Sequence, residues 1–135
     1  MAPRREQRFR VTRNAAAAIA KRRILKYGSG DELVIQAAGS TDLLIGISDD
    51  AGDIPAPAGT DYYRVDVIDD GYALVDCGGT VTRGQFVTSD ANGKAVAAAP
   101  AAGVNVNCVG QAHSSGVNNG VISVKIGPFV LQGAA

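Results

Sequence analysis

The chain has 135 residues, with no Trp, 17 Gly and only 5% aromatic residues, so its one expected core must be built from Val, Ile, Leu and Ala. Two cysteines, Cys77 and Cys108, are too few for a disulfide framework in a chain of this length and read as small buried hydrophobes, free of metal, in a reducing cytosol. The formal net charge is zero, no run nears the ~20 apolar residues that span a bilayer, and "AAAAIA" is cut off by "KRR", so neither a membrane partner nor a secretory leader is expected.

The zero net charge hides a division. Met1 to Tyr27 carries nine basic residues against Glu6 alone, and the chain from Gly28 onward carries four basic residues against twelve acids. The pattern is a basic arm on an acidic body, with residues 1–20 as the arm and 21–135 as a β-rich domain. An arm of this kind suits an acidic surface: nucleic acid, a neighbouring protein or the next copy of the chain. The alternative is a solvated tail of charges. Met1 to Arg13 has too few large apolar residues to order itself and is expected to be mobile in the isolated protein.

Asn14, the Ala-rich run after it and Gly28 carry the signals of a capped helix. Its large apolar residues are only Ile19, Ile24 and Leu25, so tertiary context can draw "RRILKY" into a strand instead.

Beyond that point the chain alternates short apolar runs with turn formers, at the spacing of an all-β domain. In "DYYRVDVID", Tyr63, Val65 and Val67 share one face; in "VISVKIG", Ile122, Val124 and Ile126 do the same. "ELVIQAA", "LLIGIS", "YALVDC", "QFVTSD", "KAVAAA" and "NCVGQA" complete the set of strands. Asn92-Gly93 marks a hairpin that pairs the strands on either side of it. "RRILKYGSGDELVIQAAGSTDLLIGIS" and "RGQFVTSDANGKAVAAAPAAGVNVNCVGQA" echo each other as three-strand units with one Gly, Gly46 or Gly110, in the last strand. Duplication and a shared β pattern both account for the echo.

None of the common chemical constellations is complete. His113 is the only histidine, and "QAHSSG" offers no more than a loop His beside Ser. Cys77, Cys108 and His113 lack the paired short spacings of a zinc site. "SDANGK" lacks the later bidentate Glu of a calcium loop, and Asp49, Asp50 and Asp53 read as a solvated acidic connection. "YGSGDE" lacks the length and the Lys-Ser/Thr ending of a phosphate loop. The basic run has only Phe9 for stacking, which makes nucleic acid the weaker partner reading. No catalytic, cofactor-binding or metal residue is assigned, and no enzymatic function is expected.

The succession "AAAAIAKRRILKYGSGDELVIQAAGSTDLLIGISDD", "YYRVDVIDDGYALVDCGGTVTRGQFVTSDANGKAVAAAP" and "NCVGQAHSSGVNNGVISVKIGPFVLQG" resembles the small capsid decoration, or cement, proteins of tailed bacteriophages. Its most specific part is "GGTVTRGQFVTSDANGKAVAAAP". The resemblance implies a small β-barrel or β-sandwich, without cofactor, on the outer surface of the mature head. There it would clamp neighbouring subunits of the major capsid protein and neighbouring copies of itself, as a trimer. With that function, Arg4, Arg5, Arg8, Arg10 and Arg13 are expected to meet capsid carboxylates, and Phe9 and Val11 shallow apolar pockets. The basic extension Met1 to Arg13 and the acidic loop Asp49 to Asp61 depart from the shorter members. A nucleic-acid-binding β-barrel with a basic arm and a β-rich adhesion domain are the alternative readings.

Overall fold

The computed structural model describes residues 8–15, 17–31, 33–54 and 63–133. They form nine strands: β1 (Arg8–Ala15), β2 (Ile24–Tyr27), β3 (Leu33–Gln36), β4 (Leu44–Ile54), β5 (Tyr63–Asp76), β6 (Phe86–Ser89), β7 (Ala95–Ala97), β8 (Asn105–Ala112) and β9 (Val121–Gln132). The sheet runs β1-β3-β2-β4-β5-β9-β8-β6-β7, and β1 also pairs β5. That extra pairing closes β1-β3-β2-β4-β5 into a five-stranded barrel. The all-β barrel expected from the sequence is therefore the fold.

Of the helix and the strand that the sequence leaves open after Asn14, the strand is found: the end of β1, a turn at Lys21-Arg22 and β2. The cause is burial. In an extended strand Ile24 and Leu25 point to opposite faces, and both are 0% exposed, one in each of two core clusters. On a helix these neighbours would stand about 100° apart and, with Ile19, form no continuous apolar stripe on a surface otherwise of Ala and charge.

The arm expected to be mobile is likewise a strand over Arg8–Arg13, antiparallel to β5 from Arg8↔Gly71 to Arg13↔Val65. The pairing satisfies the backbone, and Ala15 and Ile19 bury their side chains inside the barrel. Met1 to Gln7, with Arg4 and Arg5, lie outside the described residues. The acidic connection also changes. β4 runs through Asp49 to Ile54, and Asp49 is buried, while residues 55–62 lie outside the described residues.

The echo in the sequence is a structural repeat, and it is longer than the three strands read there. Pairs Ile24↔Ile47 and Leu25↔Gly46 of the first half correspond to Phe86↔Gln111 and Val87↔Gly110 of the second. Leu25↔Gln36 and Tyr27↔Val34 correspond to Val87↔Ala97 and Ser89↔Ala95. The parallel pair Ala15↔Val34 has its match in the bridge Cys77↔Ala95, and Arg13↔Val65 in Val75↔Ile122. Turn hydrogen bonds repeat too: Arg22 N to Ser48 O (3.2 Å) matches Gly84 N to Ala112 O (2.8 Å), and Ala37 N to Ile24 O (2.9 Å) matches Ala98 N to Phe86 O (2.8 Å).

The interiors match position by position. Ala15, Ile19, Leu25, Val34, Ile45, Val65 and Val67 fill the first barrel, and Cys77, Val81, Val87, Ala95, Val109, Ile122 and Val124 fill the second. Each half thus uses the same five strand positions. β5 serves both: its first part ends the first unit and its last part begins the second.

Gly46 and Gly110 explain why the echo keeps a Gly. A Cβ at Gly46 would lie 2.3 Å from Ile68 O, and one at Gly110 2.0 Å from Lys125 O. The crossing of the fourth and fifth strands has no room for a side chain in either unit.

Candidate interaction surfaces

The two units do not meet symmetrically. Ile24, Ala37, Leu44, Ile47 and Ile68 belong to the first unit but point away from its interior, and they join the core cluster of the second. The outer face of the first barrel therefore closes one end, the mouth, of the second. Hydrogen bonds line this seam: Ile24 N donates to Gly93 O (2.7 Å), Asn107 N to Ser40 O (2.8 Å) and Asn107 Nδ2 to Asp42 O (2.8 Å). Gly93 is the third residue of a three-residue hairpin loop and takes a positive φ of +71°. The Asn92-Gly93 hairpin expected from the sequence is thus present, and its tip is pressed onto β2.

One carboxylate pins the seam. Asp76 accepts hydrogen bonds from Arg22 Nε (2.7 Å) and from Arg23 Nη1, all three side chains being about one-fifth exposed. Burial works to raise the Asp76 pKa, but the two guanidinium hydrogen bonds and charges outweigh it and hold the carboxyl below its ordinary value. A basic pair at the start of the β-rich domain thus joins the two halves.

Among the described residues the same mouth in the first unit is open. It is a cavity of about 280 Å³ lined by Arg13, Tyr27, Asp31, Leu33, Asp69 and Pro128, with Val34 and Ile45 at its floor. Arg13 Nε is buried there without a hydrogen-bond partner among the described residues. By register, Arg13, Tyr27, Ile45 and Asp69 stand where the second unit has Val75, Ser89, Val109 and Ile126, all buried under the seam. Tyr27 (59% exposed) and Leu43 (69%) edge the opening, with Tyr27 N donating to Leu43 O (3.1 Å).

These positions separate the residues expected to touch a capsid. Arg13 turns into the mouth, whereas Thr12 beside it faces outward and donates to Asp66 Oδ1 (2.6 Å). Val11 is part exposed. Arg8, Phe9 and Arg10 are placed by backbone pairing with Gly71, Asp70 and Ile68. Sequence reading missed Tyr27, Leu43 and Asp69, which are distant in the chain and had no motif to mark them.

The weak chemical candidates take structural roles. His113 stacks edge-on against Tyr72 (4.8 Å between ring centres), and Ser114 and Ser115 Oγ accept from Ser123 N (2.9 Å) and Arg83 N (2.8 Å). Asp90 Oδ1 accepts from Asn92 N (2.8 Å) and Lys94 N (2.9 Å), closing the "SDANGK" turn. Cys77 and Cys108 are buried free thiols, both pushed up in pKa by burial and Cys77 further by Asp76. Among the described residues no group of three His, Cys, Asp or Glu side chains is placed to hold a metal.

Two five-stranded units in tandem, sharing one strand, define the class of fold. The head fiber gp8.5 N base in bacteriophage phi29 has a similar fold, with a TM-score of 0.58 and 20% identity over 90% of this chain and 95% of that one. No protein-family model and no curated protein sequence matches the chain.

Proposed function

We propose that this chain is a structural protein of the tailed-phage head, bound to the outer surface of the capsid, where it cements neighbouring subunits of the major capsid protein. The observation that carries this reading is the fold likeness to a head fiber base across nearly the whole of both chains. The sequence resemblance to decoration proteins supports the cementing role. Such a role needs a rigid body and adhesive faces, which a tandem barrel with a strand for its N-terminal region supplies.

The basic run Arg4, Arg5, Arg8, Phe9, Arg10 and Val11 is the contact to the capsid in this proposal, with the arginines meeting carboxylates. Each exposed ion pair adds only about 0 to 1 kcal/mol, so attachment is shared among several. Arg13 is left for the mouth in which it lies. The experiment is to add purified protein to undecorated heads and image them. Added density on the outer surface, weakened by Arg8→Glu with Arg10→Glu, is the expected result; bare heads at saturating protein would end the proposal.

A further inference from the structure

The repeat shows what kind of surface covers a mouth of this type. In the second unit the mouth is closed by the outer face of a like barrel, through Ile24, Ile47 and Ile68. Among the described residues one mouth and one outer face are left uncovered: the mouth of the first unit and the outer face of the second. At the latter, Phe86, Gln111 and Lys125 stand where the first unit has Ile24, Ile47 and Ile68. All three are exposed there, and Phe86 packs edge-on against Phe129 (4.9 Å).

We propose that the open mouth of the first barrel receives the outer face of the second barrel of another copy, so that the chain associates with itself head to tail. The substitutions at the two free faces complement each other. Where Ile68 and Ile126 share the apolar seam inside one chain, their counterparts are Lys125 on the outer face and Asp69 in the mouth. An apolar pairing within the chain thus becomes a pairing of opposite charges between chains.

A second place changes in the opposite sense. Inside the chain the polar Asn107 bonds to the backbone of the Ser40–Asp42 loop. Its counterpart at the mouth is Leu43, 69% exposed, and the counterpart of that loop is the stretch Ala101 to Val104, where Val104 is 48% exposed. A polar contact within the chain becomes an apolar one between copies. A surface of this kind, with an apolar rim and one charge pair, suits a contact that forms at high local concentration. The contact joins unlike faces, so it closes into a ring where the rotation allows and otherwise continues.

The test uses the full chain alone, so its outcome is independent of whether the protein binds heads. Sedimentation velocity over a concentration series is expected to show species that are multiples of 13.8 kDa. Asp69→Lys or Lys125→Asp should each weaken association by about tenfold, through lost attraction and new repulsion, and the two together in one chain should restore it. Thermal melts of each variant check the fold, and if either variant melts early, Leu43→Glu at the exposed rim replaces it with the same expected loss. A monomer at every concentration up to about 1 mM, or association that all these variants leave unchanged, overturns the proposal.

Discussion

Arg22 and Gly84 occupy the same turn in the two halves of the chain, and both adopt a positive φ, +57° and +96°. Both amides reach across to the fourth strand of their unit, Arg22 to Ser48 O and Gly84 to Ala112 O. A left-handed conformation costs an L-residue roughly 1–2 kcal/mol, so the first unit carries a strain that the second avoids with glycine. The Arg22 side chain offsets part of that strain by its hydrogen bond to Asp76.

Gly84→Ala is therefore expected to destabilise the protein by about 1–2 kcal/mol, because a Cβ there meets nothing within 4 Å and the whole cost is in the backbone. Gly39→Ala, also in open space but without positive φ, is the control and should stay within about 0.5 kcal/mol of the parent. Urea denaturation midpoints at fixed m-value report both. Equal stability of the two variants would mean that the Gly84 turn relaxes freely.

Asp76 makes stability depend on pH. Its folded pKa lies below the ordinary 3.8, so the unfolded chain binds the proton more readily. The contribution is thus fully present above the unfolded pKa and lost as pH falls through the folded value. Asp76→Asn should cost about 1.5–3 kcal/mol at pH 7, the range for hydrogen bonds to charged groups. The gap between parent and variant should shrink as urea titrations move from pH 5 to below about 3, and a constant gap would assign the effect to packing alone.

The two thiols should be silent in the folded protein. Cys77 and Cys108 are 0% and 1% exposed, and their pKa values are raised. An aromatic disulfide reagent at pH 8 is expected to label neither in native protein and both after denaturation without reductant. Rapid labelling of either one under native conditions would show that the barrel around it opens.

Much of the β architecture was legible before the fold was seen, because Val65, Val67 and Ile122, Val124 are the same inward positions of one repeated strand. The alternation that marked them marks any half-buried strand. β1 has the same alternation in Val11, Arg13 and Ala15, but Arg13 sits at an inward position, where the second unit has Val75. Charge hid the strand. The Ala run around Ile19 hid the turn in the same way, since only the matching Val81, buried in "GGTVTRG", shows what Ile19 is for. The open mouth had no signal at all, because it exists only through the unequal way in which two like barrels meet.

Truncation should show the difference between arm and strand. Removing Met1 to Arg13 deletes six of the eight residues of β1 and exposes the β5 edge together with Val65 and Val67. Burial of a Val side chain is worth about 1.5–3 kcal/mol, so the truncated protein is expected to melt at least about 5 °C lower than the full chain or not to fold. Differential scanning calorimetry decides this, and an unchanged melt would return residues 8–13 to the status of a tail.

Because the 14 residues of β5 finish one barrel and start the other, no linker separates the two halves. Domains joined by linkers swing relative to each other by default. Here one continuous strand, turned at Gly71 (φ +83°), runs through both like a splint. A pull on one barrel reaches the other along that strand and loads its flanking hydrogen bonds in shear, all at once, rather than peeling them one by one. A molecule built in this way transmits strain between whatever surfaces its two ends grip, and neither barrel can be cut free without unstitching the other.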